Sequence, residues 1–136
     1  MGLSNLVGRK ESGALVLKKL VLVIDDDKVA LKLAGQACHD LGYKVHVADD
    51  AIEAIKELTA RRFDLILLDH NIDDVYGYEI IDEIAAYIQH ATVCVFTGDK
   101  SQATRQAYAE RQISNFIYKP LSKSAIGMKA MQLIGQ

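Results

Sequence analysis

The sequence predicts an α/β fold: a doubly wound (βα)5 domain whose five-stranded parallel sheet carries helices on both faces. Three observations lead there. Strand-like apolar runs recur, and most contain no polar residue, as strands buried on both faces require. Stretches of helical period stand between them, long enough to return the chain to the start of a parallel neighbour. The runs also stop abruptly at polar residues, as expected of strands whose carboxyl ends meet at one edge of an open sheet.

The central run is Phe63-Asp64-Leu65-Ile66-Leu67-Leu68-Asp69-His70-Asn71, preceded by Arg61 and Arg62 and followed by an acidic, glycine-containing segment to Gly77. Leu65 to Leu68 are wholly apolar, so Asp69 falls at the carboxyl end of a central strand. Residues 1–17 carry Gly2, Ser4, Gly8, Ser12 and Gly13 and read as an extension or linker, with Leu15-Val16-Leu17 able to lie along a domain spanning 18–136. Leu20 to Ile24 form the first strand and end at Asp25-Asp26-Asp27, where Asp27 suits a helix N-cap. Ala30, Leu33, Ala34, Ala37 and Leu41 follow at helical spacing, with Gly42 as the stop. Lys44-Val45-His46-Val47 alternates, as an edge strand with one wet face does, which makes His46 a solvated edge residue. Asp50 and Glu53 open a second helix with the stripe Ala51, Ala54, Ile55 and Leu58.

Beyond Gly77, a third helix carries Tyr78, Ile81, Ile84, Ala85 and Ile88, and Thr92 to Phe96 is a buried strand running into Thr97-Gly98-Asp99. The helix over about Ser101 to Arg111 offers only Ala103 and Ala107 inward, with Tyr108 at the margin, which predicts shallow packing and mobility. Asn115 to Tyr118 is the fifth strand, ending at Lys119-Pro120, and Ser122 to Ile134 is the last helix. Right-handed crossovers and this alternation favour the strand order 2-1-3-4-5 of flavodoxin-like sheets.

Composition sets bounds. The 136 residues suit one domain. A net charge of -2 gives no basic surface for direct nucleic-acid binding. No apolar run approaches the roughly 20 residues of a membrane span, and the amino terminus lacks a signal-peptide core. Cys38 and Cys94 both fall in apolar patterns and read as buried hydrophobes in a reducing, cytoplasmic compartment.

The chemistry gathers where the strands end: Asp25, Asp26, Asp69, Thr97 and Lys119. Each has an ordinary reading as a turn, cap or solvated strand end. Together they are harder to assign to folding alone, because clustered carboxylates repel and need a cation. Lys119 supplies one charge, and all-oxygen ligands without histidine favour Mg²⁺. His70 reads as a loop residue pointing away from Asp69. A carboxylate beside a metal, an amine and a hydroxyl can attack a phosphoryl group, with Thr97 and Lys119 holding its oxygens and Gly98 leaving room.

These residues carry a resemblance. Asp25-Asp26, Asp69, Gly77, Thr97-Gly98 and Lys119-Pro120, in that order at the ends of the expected elements, resemble the response-regulator receiver domains of two-component signalling, over about Lys18 to the end. The resemblance implies Asp69 as phosphoacceptor; Asp25, Asp26, Asp69 and the backbone carbonyl of Asn71 as Mg²⁺ ligands; and Lys119 on the phosphoryl group, with a cis Lys119-Pro120 bond. It implies Thr97 and Phe116 as a coupled switch, and Asn71 and Asp99 flanking the path of hydrolytic water. The implied partners are a sensor histidine kinase or phosphotransfer protein and a downstream protein target, with a homodimer through the last two helix–strand units. The chain would be a signalling domain, stand-alone or cut from a longer protein such as a hybrid kinase, with self-phosphorylation and self-dephosphorylation as its only chemistry. Three departures stand out: Asp73 where proline is frequent, which suggests a looser loop; Phe116 where tyrosine is frequent; and Leu121 where phenylalanine is.

Other readings compete. Asp25, Asp27 and Val29 match the first motif of haloacid-dehalogenase-type phosphatases, but no acidic residue follows Lys119 to complete that metal site. A flavodoxin-like cofactor binder would place its phosphate against Asp25-Asp26 in place of a glycine-rich nest. A phosphorylation-independent interaction module of the same fold would be marked by loss of an acid or of Lys119, and neither is lost.

Overall fold

Runs with no polar face must be covered on both sides, and the chain achieves this with one sheet between two helix layers. The computed structural model describes residues 6–9 and 15–136. The main strands are β1 (Leu20–Ile24), β2 (Lys44–Ala48), β3 (Leu65–Asp69), β4 (Thr92–Thr97) and β5 (Asn115–Tyr118). The helices are α1 (Lys28–Asp40), α2 (Ala51–Ala60), α3 (Gly77–Ile84, continued by a 3-10 turn Ala85–Tyr87), α4 (Gln102–Ala109) and α5 (Lys123–Ile134). The sheet runs β2-β1-β3-β4-β5, every pair parallel, in the expected order.

The pleat sends alternate residues to opposite layers. Leu20, Leu22, Ile24, Ile66 and Leu68 face α2, α3 and α4. Val21, Val23, Leu65, Leu67 and Cys94 face α1 and α5. Both cysteines are buried and unbridged. Register is pinned at the sheet's amino edge, where the Leu20 amide donates to Asp64 Oδ2 at 2.7 Å and the Asp64 amide to Leu20 O at 2.8 Å.

The helices start where short polar side chains can take up free amides. Asp27, Asp50, Ser101 and Ser122 cap α1, α2, α4 and α5, accepting from Val29, Glu53, Thr104 and Ala125. Gly42, at φ +88°, turns the chain out of α1 in a conformation that a side chain would resist.

Three expectations change. In the extension, Leu6–Arg9 pairs antiparallel with Leu15–Leu17 as a separate ribbon, while residues 1–5 and 10–14 lie outside the described residues. In α4, Ala103 is exposed and Tyr108, at 0% exposure, is the residue that anchors the helix. His46 is not solvated. It is half-buried, with Nδ1 3.1 Å from Glu57 Oε2 and its ring edge-on to Phe63, and its buried Nε2 has no partner among the described residues. The wet face of this edge strand is carried by Val47 instead.

Burial, and after it the charge of Arg61, lower the pKa of His46 from 6.5, while Glu57 opposes. A histidine whose folded pKa is depressed binds more protons when unfolded, so its contribution to stability is lost as pH falls through and below about 6.5. Urea unfolding of wild type and His46→Gln at about pH 7.5 and about pH 5.5 is expected to show the wild type losing more stability on acidification. An equal loss in both would remove His46 as a contributor.

Candidate functional site

The strand ends place the side chains. Asp25 and Asp26 follow β1, Asp69 closes β3, Thr97 closes β4 and Lys119 follows β5. The edge is held together by backbone bonds from Asp25 N to Ala48 O (3.1 Å), His70 N to Phe96 O (2.8 Å) and Lys119 N to Thr97 O (2.9 Å). Carboxylate oxygens of Asp25, Asp26 and Asp69 all lie within 4.8 Å of one another. Lys119 Nζ sits 2.9 Å from Asp69 Oδ1.

Each acid has its own surroundings. Asp25 is fully buried; its Oδ1 accepts from the Asp27 amide at 2.9 Å, and its Oδ2 has no hydrogen-bond partner among the described residues. Burial pushes its pKa up to about 6, against the pull of the Asp27 amide and with a further push from the Asp69 charge. Asp69 is buried, whereas Asp26 is exposed and accepts the Asp73 amide on Oδ2 at 2.8 Å. Burial draws the Lys119 pKa down, but the bond to Asp69 and the charges of Asp69, Asp25 and Asp27 outweigh it, so the amine stays cationic with a raised pKa.

A single ammonium faces three carboxylates. That imbalance, the all-oxygen donor set and the orphaned Asp25 Oδ2 fit a small divalent cation such as Mg²⁺ or Ca²⁺. Asn71 lies exposed two residues beyond Asp69, at the first position of a short ribbon in which Asn71–Ile72 pairs with Val75–Tyr76. The ribbon is not the loose loop expected from Asp73. That residue turns the chain at φ +51° and gives its amide to Asp26, two things a proline could not do.

Thr97 is buried, and its hydroxyl oxygen accepts the Asp99 amide at 2.9 Å, which leaves the hydroxyl hydrogen free to donate. Phe116 is half-buried, edge-on to Tyr108 at 5.6 Å and stacked on Tyr118 at 6.1 Å. The Lys119-Pro120 bond is cis.

His70 is a bend residue past the strand and its ring packs on tyrosines, in keeping with the expectation, yet it is not a surface loop residue. It is buried, with Nδ1 2.7 Å from Tyr108 Oη and its ring stacked on Tyr76 at 5.1 Å. Burial lowers its pKa, so the ring is neutral near pH 7. The only signal in the sequence was a histidine directly after an apolar strand; its partner on α4 is 38 residues away.

The model of the response regulator receiver domain family matches residues 21–130. The chain belongs to that family. The receiver is 28% identical over 106 residues to the transcriptional regulatory protein GlrR of Escherichia coli, a match covering 78% of this chain and 24% of GlrR. The chain thus spans about a quarter of that relative's length. The fold superposes on the chemotaxis response regulator CheY4 of Vibrio cholerae with a TM-score of 0.77 at 23% identity, covering 86% of this chain and 98% of CheY4. It also superposes on a response regulator from Burkholderia pseudomallei, solved with a phosphorylated aspartic acid, a calcium ion and citrate, with a TM-score of 0.75 at 28% identity, covering 85% and 66% of the two chains. The phosphatase alternative lacks the acids its metal site needs after Lys119, and Asp27, the second acid of its first motif, caps the Val29 amide.

Gly77 explains itself only in the folded receiver. A Cβ there would stand 2.5 Å from Tyr108 Oη and 2.9 Å from the Asp69 carbonyl. Gly77→Ala is expected to cost about 1–3 kcal/mol in urea unfolding. Combined with Tyr108→Phe, the loss should fall short of the sum of the two single losses, because the first clash is gone.

Proposed function

We propose that Asp69 is the phosphoacceptor of a two-component phosphorelay. The observation that carries this reading is a buried carboxylate at a strand end, 2.9 Å from the Lys119 ammonium and grouped with two further acids. Asp25, Asp26 and Asp69, with the Asn71 carbonyl, would hold Mg²⁺, which supplies positive charge against the phosphoryl oxygens.

An oxygen of Asp69 forms a bond to phosphorus as the P–N bond to the donor's phosphohistidine breaks. The electron pair stays on the imidazole nitrogen, which takes a proton from solvent. Lys119 offsets charge on the transferred group, and Thr97 donates its free hydrogen to one of that group's oxygens. Gly98 adds no bulk: a Cβ there would meet nothing within 4 Å. The product adds charge of about -1.5 to -2, by analogy with phosphorylated hydroxyls, at an edge where Asp69 is only 3% exposed. The Thr97–Asp99 loop, Phe116 and the α4–β5–α5 face then shift population. Asn71 and Asp99 flank the path of the water that returns Asp69 to its free form.

The donor is a sensor histidine kinase or phosphotransfer protein, and the output is a downstream protein that reads the shifted face, where a homodimer would also form. Residues 18–136 make up the receiver and 1–17 its extension. Among the described residues no helix is long and apolar enough to cross a membrane. With both cysteines buried as thiols, the reading places the domain in the cytoplasm.

Treatment with acetyl phosphate and Mg²⁺ followed by intact-mass analysis tests the assignment. Wild type is expected to gain one phosphoryl group and Asp69→Asn none; undiminished labelling of the variant would overturn it. Lys119→Ala is expected to keep Mg²⁺ binding, read by a cation titration, and to lose the phosphorylation-driven change at the α4–β5–α5 face.

A further inference from the structure

α4 is held to the fold mainly at its two ends. Five of its eight residues (Gln102, Ala103, Arg105, Gln106 and Ala109) are exposed, and Tyr108 is its single buried side chain. At the amino end, Asp99 accepts the Ser101 amide at 2.8 Å and the Thr104 hydroxyl at 2.5 Å. That same Asp99 gives its amide to Thr97, the hydroxyl beside the acids. Past the carboxyl end, Arg111 grips Asp82 of α3 through two bonds of 2.7 and 2.8 Å and lies 4.8 Å over the Tyr78 ring.

Tyr108 joins this carboxyl end to the site. Its hydroxyl is hydrogen-bonded to His70 Nδ1 at 2.7 Å. The bond forms in either tautomer of the imidazole, with the phenol donating to an unprotonated Nδ1 or accepting from a protonated one. The Tyr108 ring lies edge-on to His70, Tyr78 and Phe116, at 5.5, 5.7 and 5.6 Å. His70 is bonded directly to Asp69 in the chain and has little slack. Its amide donates to Phe96 O at 2.8 Å, its carbonyl accepts from Gly77 N at 2.7 Å, and its ring is stacked on Tyr76. The Asp69 carbonyl is packed against Gly77, where even one added carbon would come within 2.9 Å. A displacement of Asp69 therefore reaches the His70 ring, which either carries the Tyr108 hydroxyl with it or gives up a buried hydrogen bond.

We propose that the Tyr108 hydroxyl on His70 is a lever that couples the state of Asp69 to the orientation of α4. It gives this receiver a second link besides Thr97–Asp99, supplying from α4 the buried phenol that Phe116 lacks on β5. The lever rests on the phosphoacceptor reading of Asp69. Phosphorylation pulls α4 at its amino end through Thr97 and Asp99 and turns it about Tyr108 at the other end, so the exposed Gln102–Gln106 face moves as one unit.

Hydrogen exchange of the α4 amides, followed with and without acetyl phosphate and Mg²⁺ in the full chain, tests it, with intact mass giving the extent of labelling. Wild type is expected to label and to change α4 exchange several-fold. Tyr108→Phe keeps the ring and removes only the hydroxyl; it should label to the same extent and lose the α4 change. His70→Phe, which retains the stack on Tyr76 but has no Nδ1, should behave alike and guards against a folding defect in the first variant. Full labelling with the wild-type α4 response in either folded variant overturns the lever and leaves the phosphoacceptor standing. Labelling of wild type with no α4 change also overturns the lever alone. A wild type that takes no phosphoryl group overturns the phosphoacceptor reading, and the lever with it.

Discussion

Three carboxylates held within 4.8 Å by the ends of two adjacent strands set the terms for the rest of the receiver. They cannot drift apart without breaking the parallel ladder between β1 and β3, whose residues Val21 to Ile24 are paired with Leu65 to Leu68. At an effective dielectric near 20, two ionised carboxylates at that separation repel by about 3.5 kcal/mol. Lys119 answers only part of this. Asp25, buried and lacking a donor on Oδ2, answers by holding its proton to about pH 6. The core thus imposes a charge imbalance on its own edge, which a divalent cation would relieve. A protein selected for stability alone would have neutralised one of these acids.

The same edge shows how local strain is distributed. Asp26 gives an oxygen to Asp73, Thr97 gives its oxygen to Asp99, and Lys119 is bonded through its backbone to Thr97. Asp26 and Thr97 are therefore each tied to a loop outside the sheet, while the strands that carry them are largely buried on both faces. Whatever changes the charge at Asp69 finds a stiff sheet on one side and hydrogen-bonded loops on the other. Displacement passes to the loops, since repacking Leu67 or Val95, both wholly buried, would open voids in a close-packed core.

The sequence is legible where the physics is local. Leu20–Ile24 and Leu65–Leu68 declare themselves as buried parallel strands because they have no polar face, and Asp27, Asp50 and Ser122 declare helix starts because an N-cap needs only its own amides. Asp25, Asp69 and Lys119 could be grouped in advance because strand order alone brings their ends together. What stayed hidden depends on partners far away in the chain. His46 is decided by Glu57 and Phe63 on neighbouring elements, and alternation along its own strand misplaces it. The shallow-looking α4 is anchored by a tyrosine whose hydrogen-bond partner lies on the other side of β4 in the sequence. The Asn71–Tyr76 ribbon is too short for any periodic signal, and it is closed by Asp73 in a conformation that neighbouring residues do not announce.

His70, Gly77 and Tyr108 show how such distant dependences lock together. A phenol with 0% exposure needs partners for its hydroxyl, and His70 supplies one at 2.7 Å. The hydroxyl fits only because residue 77 carries no Cβ, since an added carbon would stand 2.5 Å away. Gly77 in turn begins α3 with its amide on the His70 carbonyl, which fixes the histidine that the phenol needs. Each of the three is explained by the other two, and none by its own neighbours in the chain. Loss of any one leaves a buried polar atom or a clash, so these residues form a single packing unit. Because that unit abuts the Asp69 peptide, it belongs to the site physically even though none of its side chains is a ligand or a nucleophile.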